Sequence, residues 1–211
     1  MRLLQKVSVL AGLVVAAVVV NFQAAQARAD PLEAKAILEK TKTTTSTYSI
    51  YIWNKVTNPQ QALFEEGSAE YHSGNLHRVE TPRDRIIANC REQTGAYLAV
   101  ATGKLIEGPT VAAAACGINT NFPILAIELV GEVETRFGKA QRISVTDAQT
   151  VREYDVSQDG ILLKTAYREN RPGGATIIVA EVVKLERDVP NRAMFDKASL
   201  ARSYLLTKFK K

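Results

Sequence analysis

The 211-residue chain carries 27 Lys and Arg against 22 Asp and Glu, a net charge of +5, and 46% of it is hydrophobic. That is the length and composition of one ordinary domain with a sizeable core. So small a surplus excludes the dense basic stripe of a nucleic-acid binder, and no nucleic-acid partner is expected.

Arg2 and Lys6 precede an apolar run from Val7 to Val20, and small residues follow at Ala24-Ala25-Gln26-Ala27-Arg28-Ala29. This is the pattern of a secretory signal peptide. The run is shorter than the ~20 residues that a spanning helix needs; the alternative is an uncleaved anchor. Cleavage is expected after Ala27 or Ala29. No cysteine stands near either point, so no lipid anchor is expected. The expected product is a soluble periplasmic protein, residues 30–211, folded as a single β-rich domain.

Asp30-Pro31-Leu32-Glu33 reads as a helix start, with a cap, a first-turn proline and capping-box spacing. Ala34, Ile37, Leu38 and Thr41 then repeat at helical spacing. The threonines from Thr41 to Thr47 favour a strand over a helix, so the helix should end near Thr43. From Thr47 to Thr57, Tyr48, Ile50 and Ile52 alternate with Ser49, Tyr51 and Trp53. Further strands are expected over Leu63 to His72, Leu76 to Glu80, Arg83 to Cys90 and Ala96 to Ala101, and at Leu105-Ile106. Turn residues such as Ser73-Gly74-Asn75 separate them.

Thr110 to Glu128 breaks this rhythm. Val111 to Ala115 favours a helical turn, and Phe122 to Leu125 a short helical or irregular piece. After Gly138 strands are expected over Lys139 to Asp147, Thr150 to Val156, Ile161 to Arg168 and Ala175 to Arg187. Asp196 is a candidate cap for a terminal helix reaching Phe209. The fold class is α+β, mostly antiparallel β: a strongly curved sheet wrapped around its own helices, with an N-terminal helix, a short helical insertion and a C-terminal helix.

Cys90 and Cys116 are the only cysteines. In an oxidising compartment an even pair indicates a disulfide. It would tie the insertion to the strand ending at Cys90 as a pinned flap.

The order of elements resembles the periplasmic lipoprotein-carrier and lipoprotein-sorting family. The likeness lies in the helix Leu32 to Lys42 running into Tyr48-Ser49-Ile50-Tyr51-Ile52-Trp53, the hairpin with Tyr154-Asp155-Val156 and Asp159-Gly160-Ile161-Leu162, and the exit from Val189-Pro190-Asn191 to Met194-Phe195. The resemblance implies an open half-barrel carrying a hydrophobic ligand or an acylated protein. The family's early Arg-rich strand has only Leu76-His77-Arg78-Val79-Glu80 as its counterpart, and the Cys90–Cys116 insertion has none.

No catalytic residue is assigned. There is no G-x-S-x-G elbow and no Gly-rich phosphate loop. Asp147, Asp155 and Asp159 fall at strand ends and turns, where aspartate is ordinary. His72 and His77 flank a turn and could meet across it, with Glu70 or Glu80 nearby. Two surface histidines are the expectation, with no metal and no cofactor. Tyr51, Trp53, Phe64, Tyr97 and Tyr154 are the candidate ligand-binding residues, on a curved sheet whose inner surface could hold an acyl chain. A non-catalytic binding protein is therefore expected. The alternative is an envelope sensor or interaction module docking a partner through a strand edge or the Cys90–Cys116 flap. Lys208, Lys210 and Lys211 offer weak attraction to an anionic membrane surface.

Overall fold

Proline at the first turn, where its missing N–H costs nothing, opens helix α1 (Pro31–Thr43) in a computed structural model of the chain. The structure describes residues 31–58, 61–118, 123–171, 174–188 and 190–205. The expected signal segment and the basic residues Lys208, Lys210 and Lys211 lie outside them. Thr43 Oγ1 and Thr41 Oγ1 turn back to carbonyls of the last helical turn, and the chain then leaves the helix for the sheet.

Eleven strands follow: β1 (Tyr48–Asn58), β2 (Gln61–Ser73), β3 (Leu76–Glu80), β4 (Asp84–Asn89), β5 (Thr94–Ala99), β6 (Lys104–Glu107), β7 (Ile124–Thr135), β8 (Gly138–Asp147), β9 (Thr150–Ser157), β10 (Leu162–Arg171) and β11 (Gly174–Glu186). Helix α2 (Pro109–Ala115) sits between β6 and β7. They form one antiparallel sheet in the order β6-β5-β4-β3-β2-β1-β11-β10-β9-β8-β7. Two sequential meanders thus meet at one seam, where Ser49 to Thr57 pair with Glu186 to Ile177. The sheet does not close on itself, so β6 and β7 are its edges.

The period-2 alternation of β1 divides the sheet into two faces. Tyr48, Ile50 and Ile52 point to the inner face, which carries both helices. Ala34 and Leu38 of α1 pack there on Ile143, Val145, Tyr154 and Val156. Ala112 and Ala115 of α2 pack on Ala88. Gly95 lets α2 approach: a Cβ at that position would stand 2.8 Å from the Ala112 backbone nitrogen. Each fully buried side chain of the Ile50 and Ile143 kind contributes roughly 1.5–3 kcal/mol. Among the described residues no helix is long and apolar enough to cross a membrane.

The outer face is covered over β3 to β5 by a terminal strap. It consists of two short 3-10 turns, Arg192–Phe195 and Lys197–Ala201, and an extended exit to Leu205. Met194 and Phe195 pack on Tyr51, Ala69 and Tyr71. Leu200 packs on Ile87 and Ala96. Arg78 and Glu80, both fully buried, hold the strap by its backbone. Arg78 donates to Met194 O (2.7 Å), Ser199 Oγ (2.7 Å), Ser199 O (3.3 Å) and Arg202 O (2.9 Å), and to Glu80 Oε1 at 2.5 Å. Glu80 Oε2 accepts from the Tyr204 and Leu205 backbone N–H groups at 2.9 and 3.0 Å and from Ser203 Oγ at 3.1 Å. The Arg78 guanidinium also lies over the Tyr204 ring, 4.8 Å from its centre.

The half-barrel layout expected from the sequence is the one observed, with two corrections. Of the terminal helix expected from Asp196 to Phe209, the described part is one 3-10 turn, Lys197–Ala201, and an extended exit, where Arg78 binds the Ser199 and Arg202 carbonyls and Arg85 Nη1 donates to Leu200 O at 2.7 Å; residues 206–209 lie outside the described residues. The stretch ending at Glu128 is not wholly an insertion either. Strand β7 begins at Ile124 and pairs along its length with β8. Its alternation is masked in sequence by two register shifts, at Ile124/Ala126 and Leu129/Gly131.

Candidate functional site

The two helices do not seal the inner face completely. Between the end of α1, the α2 segment and strands β1 to β4 lies a cavity of about 180 Å³. Its apolar wall is formed by Val79, Ile86, Ile118 and Leu162. The helices meet above it, where the Ile118 N–H donates to Thr41 Oγ1 at 3.2 Å. Gly117 is required at this junction: its φ is +72°, and a Cβ would lie 2.8 Å from Lys42 Cα.

The Cys90–Cys116 disulfide closes one side, with Cα atoms 5.6 Å apart. The pairing expected from the two cysteines is therefore present. It joins the end of β4 to the end of α2, and Cys90 lines the cavity.

The polar wall comes from the β2–β3 hairpin. Register sets His72 opposite His77 and Glu70 opposite Val79, so Glu70, His72 and His77 share the inner face. The His72 ring stacks on Tyr48 at 5.1 Å and meets His77 edge-on at 5.2 Å. Its Nδ1 lies 2.7 Å from Ser46 O, which fixes the hydrogen there and leaves Nε2 as an acceptor. Burial first, then the neighbouring His77, pulls His72 down to about 4, against the opposing pull of Ser46 O and Glu70. It is neutral at pH 7. Burial, followed by the charges of Glu70 and Asp159, pushes the Tyr48 hydroxyl up, so it too stays neutral.

His77 is 6% exposed, and its Nε2 makes no hydrogen bond. It stands 3.4 Å from Glu70 Oε2. A buried polar atom in this state costs about 1–3 kcal/mol. The histidines expected at the surface are thus inside the protein, because the hairpin lies beneath α1 and α2. Among the described residues no group of three or more His, Cys, Asp or Glu is arranged to hold a metal ion.

The three aspartates have structural partners. Asp147 accepts from the Gln149 and Thr150 backbone N–H groups, both at 2.8 Å, and closes the β8–β9 turn. Asp155 forms a two-bond pair with Arg142, at 2.6 and 2.9 Å. Asp159 pairs with Ser157 and Arg187.

The five aromatic candidates do not form one surface. Tyr51 and Trp53 point to the outer face. Tyr51 is buried beneath the terminal strap, edge-on to Tyr71 at 6.2 Å. Trp53 is half-buried opposite Gly67, its indole N–H without a hydrogen bond. Phe64, Tyr97 and Tyr154 are on the inner face. Tyr154 lies under α1. Tyr97 donates to Asp84 Oδ1 at 2.6 Å. Phe64 is 44% exposed, with the Arg83 guanidinium 5.4 Å from its ring centre. The curvature was legible in sequence, but assigning residues to its two sides needed the strand register. The cavity-lining Glu70, His72 and His77 were visible only as a hairpin pair of histidines, with no signal of what would cover them.

No protein-family model and no curated protein matches the chain. Solved structures do match it. An uncharacterized conserved protein from Thermus thermophilus superposes with a TM-score of 0.52 at 16% identity, over 81% of this chain and 94% of that one. A LolA superfamily protein from Nitrosomonas europaea gives 0.43 at 12% identity, over 79% and 99% of the two chains. A domain described as a putative outer membrane lipoprotein-sorting protein, from Vibrio parahaemolyticus, gives 0.41 at 9% identity, over 82% and 98%. At these identities the likeness concerns the fold. The chain shares its fold with the Thermus thermophilus protein, and in this chain that fold is an open antiparallel sheet with helices across its inner face.

Proposed function

We propose that this is an exported, non-catalytic binding protein that shelters a lipid, an acylated peptide or another hydrophobic ligand on the inner face of its sheet. The observation that carries the proposal is the cavity between the helices and that face, with an apolar wall and a few polar groups at one end. At about 180 Å³ it is smaller than a drug-sized site, so it holds one end of the ligand, and the remainder lies along the inner face toward Phe64 and Tyr97. Each methylene removed from water there contributes roughly 0.8 kcal/mol. Covalent chemistry has no part in the proposal.

The test is uptake of a fluorescent fatty acid by the purified protein, with native mass spectrometry of protein taken from the periplasm. Saturable uptake that falls in Phe64→Asp, together with retained lipid, is expected. Bare protein that takes up no probe would overturn the proposal. Exposed Leu105 and Ile106 on edge strand β6, and Ile124, Leu125 and Val130 on edge strand β7, favour a second reading. In it the protein docks an envelope partner by strand addition at an unpaired edge.

A further inference from the structure

The polar end of the cavity has a composition that selects among ligands. Glu70, His72, His77 and Tyr48 line it from the sheet. The His72 Nε2 is an acceptor, since Ser46 O holds the hydrogen on the other ring nitrogen. His77 Nε2 is buried 3.4 Å from Glu70 Oε2, so its hydrogen faces that carboxylate, and the acceptors are the two Glu70 oxygens and the His72 Nε2. Lys42, at the rim, is turned to Glu39 at 3.0 Å. The apolar lining is Val79, beside Glu70 on the same face of the sheet, with Ile86, Ile118 and Leu162.

We propose that this end of the cavity is a subsite for a primary ammonium group on an alkyl stem. An ammonium has three N–H donors and no acceptor, which matches three acceptors. The Glu70 carboxylate supplies the opposite charge. A ligand carboxylate would face Glu70 and the His72 lone pair with like polarity. A quaternary ammonium would bring no hydrogens to the acceptors. The volume equals that of about six water molecules at ~30 Å³ each, room for the head and a stem of a few carbons.

The subsite deepens the proposed function only in taking the cavity as one end of the ligand face. Two sources share the chemistry: a short free alkylamine, and the amino head of a longer amphiphile whose chain continues along the inner face.

His72 and His77 are the only histidines of the chain, so their ring C–H signals report directly on the cavity. The experiment follows those NMR signals in the full exported protein during titration with n-hexylammonium, n-hexanoate or 1-hexanol. Hexylammonium is expected to shift both histidines saturably, at least ten times more tightly than the other two compounds. Glu70→Gln is expected to weaken it at least tenfold. Dodecylammonium below its micelle concentration then separates the sources: tighter binding than hexylammonium marks an amphiphile, and equal binding a short amine. Hexanoate or hexanol binding as tightly as hexylammonium overturns the subsite, as does a chain whose histidines respond to none of the three. Loss of fatty-acid uptake with the hexylammonium response intact would remove the carrier function and leave the subsite standing. Uptake without that response would do the reverse.

Discussion

Arg78 and Glu80 show how much can rest on two side chains. Each is fully buried, and between them they bind backbone groups of residues 194, 199, 202, 204 and 205. Removing one partner strands the other's charge in the interior. Arg78→Ala is therefore expected to cost roughly 3–5 kcal/mol in chemical denaturation and to expose the strap to trypsin at Arg202. Native-like stability with an uncut strap would contradict this. His72 governs a different property. Its value in the folded protein, about 4, lies below the ordinary 6.5, so the fold favours the neutral ring. The stability it contributes is present above pH 6.5 and is lost as pH falls toward 4, at most about 3 kcal/mol. Asp147 acts in the same direction. Burial pushes it up, but the Gln149 and Thr150 hydrogen bonds and Arg152 hold it below its usual range, so its contribution disappears at still lower pH. Denaturation midpoints compared at pH 7.5 and pH 4.5 should show the His72 loss in the native chain and a smaller one in His72→Gln. Trp53, the one tryptophan, gives a test of sidedness. Because it stands on the outer face, a brominated acyl ligand held on the inner face should leave its fluorescence nearly unquenched.

Elements explain which parts of the fold the sequence disclosed. Strands with unbroken alternation, such as β1, were legible, because one buried and one covered face leave a period of two. Helix α1 was legible from its proline start and its i, i+3, i+4 spacing. Strand β7 was not, since its two register shifts break the period, and Pro123 before it reads as a break. The terminal strap was not legible, because what holds it to the sheet is Arg78 and Glu80, over a hundred residues away in sequence. The inner-face cavity was hidden for a related reason: its walls come from both helices and several strands, and no local pattern reports their convergence. Element α2 depends on Gly95. Gly95→Ala should push the helix outward and cost about 1–3 kcal/mol, measured by thermal unfolding. Reduction of Cys90–Cys116 releases the same element. For a loop of 26 residues the chain-entropy relation gives about 3.5 kcal/mol, read as the difference between oxidised and reduced denaturation curves.

At the scale of the molecule, the sheet is two meanders joined only along β1 and β11, with each half covered by an element from the other end of the chain. Helix α1 leaves its own meander to lie on β8 and β9, and the terminal strap crosses back to cover β3 to β5. Neither half has a finished core by itself. Fragments 31–118 and 123–205 are each expected to be unfolded alone and to regain the native circular dichroism spectrum when mixed. A folded single fragment would contradict this.

The crossed covering also orders events in time. Local hairpins form quickly, whereas a pairing between segments more than a hundred residues apart waits on a long loop closure. Until residues 194–205 arrive, Arg78 and Glu80 have no backbone to hold and the apolar residues of β3 to β5 have no cover. The disulfide, by contrast, lies wholly within that first half and can form before the second exists. The newborn chain thus passes through a cross-linked but half-dressed stage, with apolar residues open to chaperones or to aggregation until residues 194–205 are delivered.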